Sequence, residues 1–150
     1  MMKKRGFCFS PIAMGLMIST VIMVAATCAL AADVVVVANK SVAQSSLSKD
    51  SLNAIFLGKM TSWKNGARLE FVTLKDNSPV HEDFLSQFIG RTAMQFSNYW
   101  KQQVFTGKGR MPKQFASESE LIEYVSGTDG AIGYVSAGAA KDSVKIINIE

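Results

Sequence analysis

The chain has 150 residues, 48% hydrophobic and 19% charged, enough for one domain with a core of its own. Its formal charge of +4 overstates its basic character, because three of the sixteen Lys and Arg are clustered at residues 3–5. Beyond them thirteen basic residues face twelve acidic ones with no block of like charge, so nucleic acid is not an expected partner.

Lys3, Lys4 and Arg5 open a segment that runs without charge from Phe7 to Ala32 and carries Ala29-Leu30-Ala31 near its end. A basic start, an apolar middle and a small-x-small site are the parts of a secretory signal. Residues 1–31 therefore read as a cleaved signal peptide and residues 32–150 as a single domain, periplasmic or secreted. The stretch is also long enough to span a bilayer as a retained anchor, against which stand Pro11 and Gly15. Lipidation of Cys28 is a further alternative, disfavoured by Ala25-Ala26-Thr27, which lacks Leu and puts Thr directly before the cysteine. Removing 31 of the 150 residues leaves 119 without Cys8 or Cys28, so the exported domain forms no disulfide. At that size an apolar core alone suffices, burying about two-thirds of the unfolded surface.

Val34 to Ala38 is a β-branched run, as in a strand buried on both faces. Ser48 opens a short helix with Leu52, Ile55 and Phe56 on one face, and Gly58 stands where a left-handed helix end is wanted. A polar turn at Lys64-Asn65-Gly66 leads to a strand from Leu69 to Leu74. In the loop Lys75-Asp76-Asn77-Ser78-Pro79, the proline takes the first position of the next helix, whose apolar stripe is Phe84, Leu85, Phe88 and Ile89. Gly90 interrupts it, and a longer helix with Phe96, Trp100 and Val104 runs to about Phe105.

Lys108 to Gln114 reads as loop. Ser117 and Glu120 form a capping box for a helix carrying Leu121, Ile122 and Val125, ended by Gly127. Ala131 to Val135 and Val144 to Ile149 have strand patterns. Strands alternating with helices indicate a three-layer α/β domain with a mainly parallel sheet. Trp100 and Tyr134 belong to the core by their apolar settings, while Trp63, in a polar loop, fits the core or a surface anchor equally well.

Residues suited to catalysis are few. His81, the one histidine, stands beside Glu82 and Asp83 in a first helical turn. A His–carboxylate pair can perform acid–base work, but polar neighbours favour a solvated surface histidine. One His with two adjacent acids makes no metal site. Gly107-Lys108-Gly109 lacks the spacing and the Ser or Thr of a phosphate loop, so no cofactor is expected. The junction at Asp76-Asn77-Ser78-Pro79 is more informative. Open α/β sheets bind ligands at the carboxyl ends of their strands, and a helix start there offers amide hydrogens to an anion. The same residues also make an ordinary helix cap, and Glu82 and Asp83 already complement the dipole.

Ile55-Phe56-Leu57-Gly58-Lys59-Met60-Thr61-Ser62-Trp63 resembles a signature of the phosphate-binding subunits of phosphate ABC transporters. Asp129-Gly130-Ala131-Ile132-Gly133-Tyr134-Val135 resembles their Pro-Gly-Ala-Ile-Gly-Tyr-Val motif with Asp129 for Pro, and Tyr99-Trp100 precedes a Phe-Thr-Gly as in short relatives. The resemblance implies a non-catalytic single lobe of a type II periplasmic binding protein, taking phosphate or a related small anion for uptake or sensing. It places the family's Arg-x-Asp-Gly-Ser-Gly-Thr loop on this turn. Asp76 and Ser78 match, whereas Leu74 replaces the Arg, Asn77 and Pro79 the glycines, and Val80 the Thr. The implied anion site is Lys75, Asp76, Asn77, Ser78 and Val80, with Lys75 partly standing in for the missing guanidinium. Only one lobe is represented, so an ABC permease, an envelope protein or a second copy of this chain is the expected partner. The alternative is an envelope interaction module that keeps the fold without the ligand; a hydrolase using His81 is weaker, lacking a nucleophile.

Overall fold

The computed structural model describes residues 33–150, and the readings made for residues 1–31 lie outside them. The β-branched run forms β1 (Val34–Ala38), and Ser46–Leu47 make a two-residue β2. Ser48 caps α1 (Lys49–Phe56), its hydroxyl accepting the Ser51 amide. β3 (Glu70–Leu74) leads through the polar turn into α2 (Pro79–Phe84), with Pro79 at the first helical position. That helix widens into a π turn, Leu85–Ile89, which ends at left-handed Gly90. Next come α3 (Ala93–Phe105), β4 (Lys113–Phe115), α4 (Glu118–Gly127), β5 (Ala131–Ser136) and β6 (Lys145–Ile149).

The six strands form one sheet in the order β2-β6-β1-β5-β3-β4. β1 pairs antiparallel with β5 and β6, while β3 is parallel to β4 and β5, and β2 to β6. The sheet is therefore mainly parallel, with β1 alone reversed. Alternation along β5 sorts the layers. Gly133 faces α4, where an added Cβ would lie 2.8 Å from Leu121, while Tyr134 faces the opposite layer and stacks on Phe84, ring centroids 3.9 Å apart. Phe56, from α1, joins Phe84 and Tyr134 in that layer. The fold is the expected three-layer α/β arrangement, with the core on both sides of the sheet.

Three local details differ from the sequence reading. Lys113 and Gln114, read as loop, pair with Val72 and Thr73 at the sheet edge. Their sequence carries no strand alternation; the exposed edge of β3 supplies the partner. Gly127 is the last helical residue of α4, and the chain turns at Gly130 instead. Ser117 does cap Glu120, but the Glu120 carboxylate accepts the Ala116 amide; the full reciprocal box is at Thr92 and Gln95.

Both family-like signatures have structural duties. Trp63 is buried and donates its indole N–H to the Gly130 carbonyl at 2.9 Å, so it is a core residue rather than a surface anchor. Gly130 holds φ 73°, and a Cβ there would sit 2.1 Å from the Arg68 carbonyl oxygen. Only glycine fits that crossing of chains.

Candidate functional site

β3 ends in a buried residue, Leu74, and delivers the next three residues to the surface. Lys75 is exposed and its amide is held by the Phe115 carbonyl of β4 at 3.0 Å. Asp76 is exposed, and its Oδ1 accepts from Gln114 Nε2 at 3.2 Å. Asn77 is exposed too. Ser78 occupies the N-cap position of α2, with its amide on the Lys75 carbonyl, yet its hydroxyl makes no capping bond. Val80 is buried, so its side chain faces the core and it has only backbone to offer. The five expected residues thus form one compact turn at the carboxyl end of β3.

His81 is not the solvated surface histidine that its polar neighbours suggested. It is fully buried. Its Nδ1 lies in a short hydrogen bond with the Tyr134 hydroxyl, which also accepts the Leu74 amide at 3.0 Å. Among the described residues the buried tyrosine O–H has no acceptor other than Nδ1, so it donates its proton there, leaving the neutral ring its own proton on Nε2. That Nε2 has no hydrogen-bond partner among the described residues and stands 3.6 Å from Asp76 Oδ1. Burial lowers the His81 pKa, opposed by the nearby charges of Asp76 and Glu82. Burial likewise pushes the Tyr134 hydroxyl up, so it stays protonated and keeps donating.

A polar chain therefore runs from the β3 amide of Leu74, through Tyr134 and His81, to the carboxylate at the tip of the turn. His81, Tyr134 and Gln114 were absent from the sequence-level site. One signal pointed to His81: it precedes Phe84, Leu85 and Phe88 at helical spacing, which puts it on the inner stripe. Glu82 and Asp83 diverge outward from it. Glu82 accepts the Ala93 amide at 3.1 Å and so ties α2 to the start of α3. No group of three or more metal-ligating side chains occurs among the described residues.

A family model described as a PBP superfamily domain matches residues 25–146. The chain belongs to this superfamily. No curated protein matches it. Among solved structures, the PBP fold here is similar to an ABC-type phosphate transport receptor from Vibrio cholerae, with a TM-score of 0.63 and 20% identity over 78% of this chain and 46% of that one. It is also similar to PstS from Borrelia burgdorferi, with a TM-score of 0.60 and 21% identity over 79% of this chain and 47% of that one. A third is a Clostridium perfringens protein assigned to phosphate ABC transport as substrate-binding component and solved with phosphate bound; it gives a TM-score of 0.63 and 21% identity over 78% of this chain and 44% of that one. At such identities the likeness establishes the fold, and this PBP chain spans less than half the length of each of these structures.

Proposed function

We propose that this PBP domain is a non-catalytic, exported solute-binding lobe that recognises phosphate or a related small anion at the turn formed by Lys75, Asp76, Asn77, Ser78 and the Val80 backbone. The reading rests above all on Ser78, a cap residue whose hydroxyl is spent on no helix amide, in the same turn as the exposed Lys75 at the carboxyl end of a sheet strand. The likeness to phosphate receptors supports the same class of ligand.

The charges at the turn narrow that class. Asp76 repels a bare dianion, so the turn suits an oxyanion that brings its own hydroxyl, as hydrogen phosphate does, and donates it to the carboxylate. Gln114 holds that carboxylate by a hydrogen bond, and the His81 Nε2 stands 3.6 Å behind it. Leu74 stands where the family loop has its arginine, and the turn is exposed to water, so a lone lobe binds weakly. Tight capture needs a second wall, supplied by an ABC permease, an envelope protein or another copy of the chain.

Calorimetric titration at low salt with phosphate, sulfate and small carboxylates tests this reading. Saturable phosphate binding that disappears in Ser78→Ala is the expected result. Silence of the unaltered chain across the whole panel overturns it.

A further inference from the structure

A second feature lies at the opposite pole of the sheet from Asp76. β3 and β4 are parallel, so the residues just before each of them come together there. Between these approaches, the C-terminal half of α3 and the turn at Gly58 is a cleft of about 430 Å³. Trp100 and Phe71 line it, with ring centroids 5.4 Å apart. The Trp100 N–H is already bound to the Phe56 carbonyl at 3.2 Å, so the indole offers the cleft apolar surface alone.

Arg68, Lys108 and Arg110 line the same cleft, and among the described residues no carboxylate approaches any of them within 4.0 Å. Among the described residues Glu70 is the one acid lining it, and it accepts a hydrogen bond from the Tyr124 hydroxyl. Lys113 also borders the cleft, but its ammonium sits 4.2 Å over the Tyr124 ring and is not counted. Met111 lines the cleft and is about half exposed, and Phe105, the last residue of α3, is 93% exposed. The charge bias is wide: Arg91, Lys101, Lys108, Arg110 and Lys113 fall between Phe84 and Ser117, a stretch without any Asp or Glu.

We infer that this pole docks on an anionic phospholipid surface, with a phosphate headgroup held by Arg68, Lys108 and Arg110 and Phe105 and Met111 reaching toward the acyl region. Unpaired cations around the Trp100 and Phe71 rings, with an exposed aromatic side chain at the end of the bordering helix, complement a charged headgroup on an apolar tail. A free inorganic anion would leave the apolar half of the surface without a partner. The pole is separate from the Asp76 turn, so it can engage a membrane while the turn stays open to solvent.

The test is a titration of the isotope-labelled full chain, followed by NMR, with dihexanoylphosphatidylglycerol kept below its micelle-forming concentration. Saturating shifts are expected at the Trp100 indole and at the Gly109 and Arg110 amides. Dihexanoylphosphatidylcholine, which lacks net charge, and glycerol phosphate, which lacks acyl chains, should each bind at least about tenfold more weakly. Lys108→Glu with Arg110→Glu should weaken the anionic lipid by a similar factor, and Phe105→Ser should weaken it while leaving glycerol phosphate unchanged. Equal shifts with the zwitterionic lipid overturn the inference, as does glycerol phosphate matching the lipid, which would make the cleft a site for free phosphate esters. An absence of saturating shifts at this pole overturns it outright.

Discussion

The imidazole of His81 and the hydroxyl of Tyr134 are bonded to each other in the core, although one belongs to α2 and the other to β5. This bond fixes how α2 sits on the sheet and therefore where the turn before it points. It also sets the histidine tautomer that faces Asp76.

Tyr134→Phe removes a donor to His81 and an acceptor for the Leu74 amide while keeping the ring that stacks on Phe84. Leaving those buried groups without partners should cost about 2–4 kcal/mol, read as a lowered urea midpoint with an unchanged slope. A change below about 0.5 kcal/mol would show that the bond does not hold α2 to β5.

Acid should loosen the fold through His81. Its folded-state pKa lies below the usual 6.5, so the unfolded chain takes up the proton first. The histidine's contribution is fully present above about pH 6.5 and is lost as the pH falls from there through the folded-state value. Urea midpoints measured between pH 7.5 and pH 5, on the order of one midpoint per half unit, should fall across this window and fall less in His81→Gln. Equal slopes in both proteins would place the titration elsewhere.

Gly130→Ala forces a side chain into a left-handed position and against the Arg68 carbonyl, and it disturbs the acceptor of the Trp63 indole. A loss of about 3 kcal/mol or more is expected in the same denaturation measurement. A loss no larger than the ~1 kcal/mol of an ordinary surface change would contradict the close approach.

Asn39 is buried at the end of β1, where its amide donates to the Val125 and Ser126 carbonyls at 2.8 and 3.0 Å while its oxygen accepts the Ser41 amide. It thereby closes the C-terminal end of α4. Asn39→Ala should destabilise by about 2 kcal/mol and speed hydrogen exchange in the turn 39–42.

The order of elements was legible because each carries its own local signal. The valine run of β1, the inward stripe of Leu52, Ile55 and Phe56, and the cap at Ser48 agree with one another before any tertiary contact is considered. β4 was not legible, since Lys113 and Gln114 become strand only through the edge of β3. The candidate turn was found as a segment, but its support was not. His81 follows the turn in α2, but Tyr134 and Gln114 come from β5 and β4, and their meeting with it depends on packing rather than spacing. Composition misled at His81, where acidic neighbours concealed an inward-facing position.

The most direct measurement of the anion reading is a residue-resolved NMR titration of the full chain with inorganic phosphate. The account expects saturable shifts centred on the Asn77, Ser78 and Val80 amides and on the His81 ring, with Gly109 and Arg110 unmoved. Phosphate that moves only the pole around Arg110, or moves nothing, would contradict it.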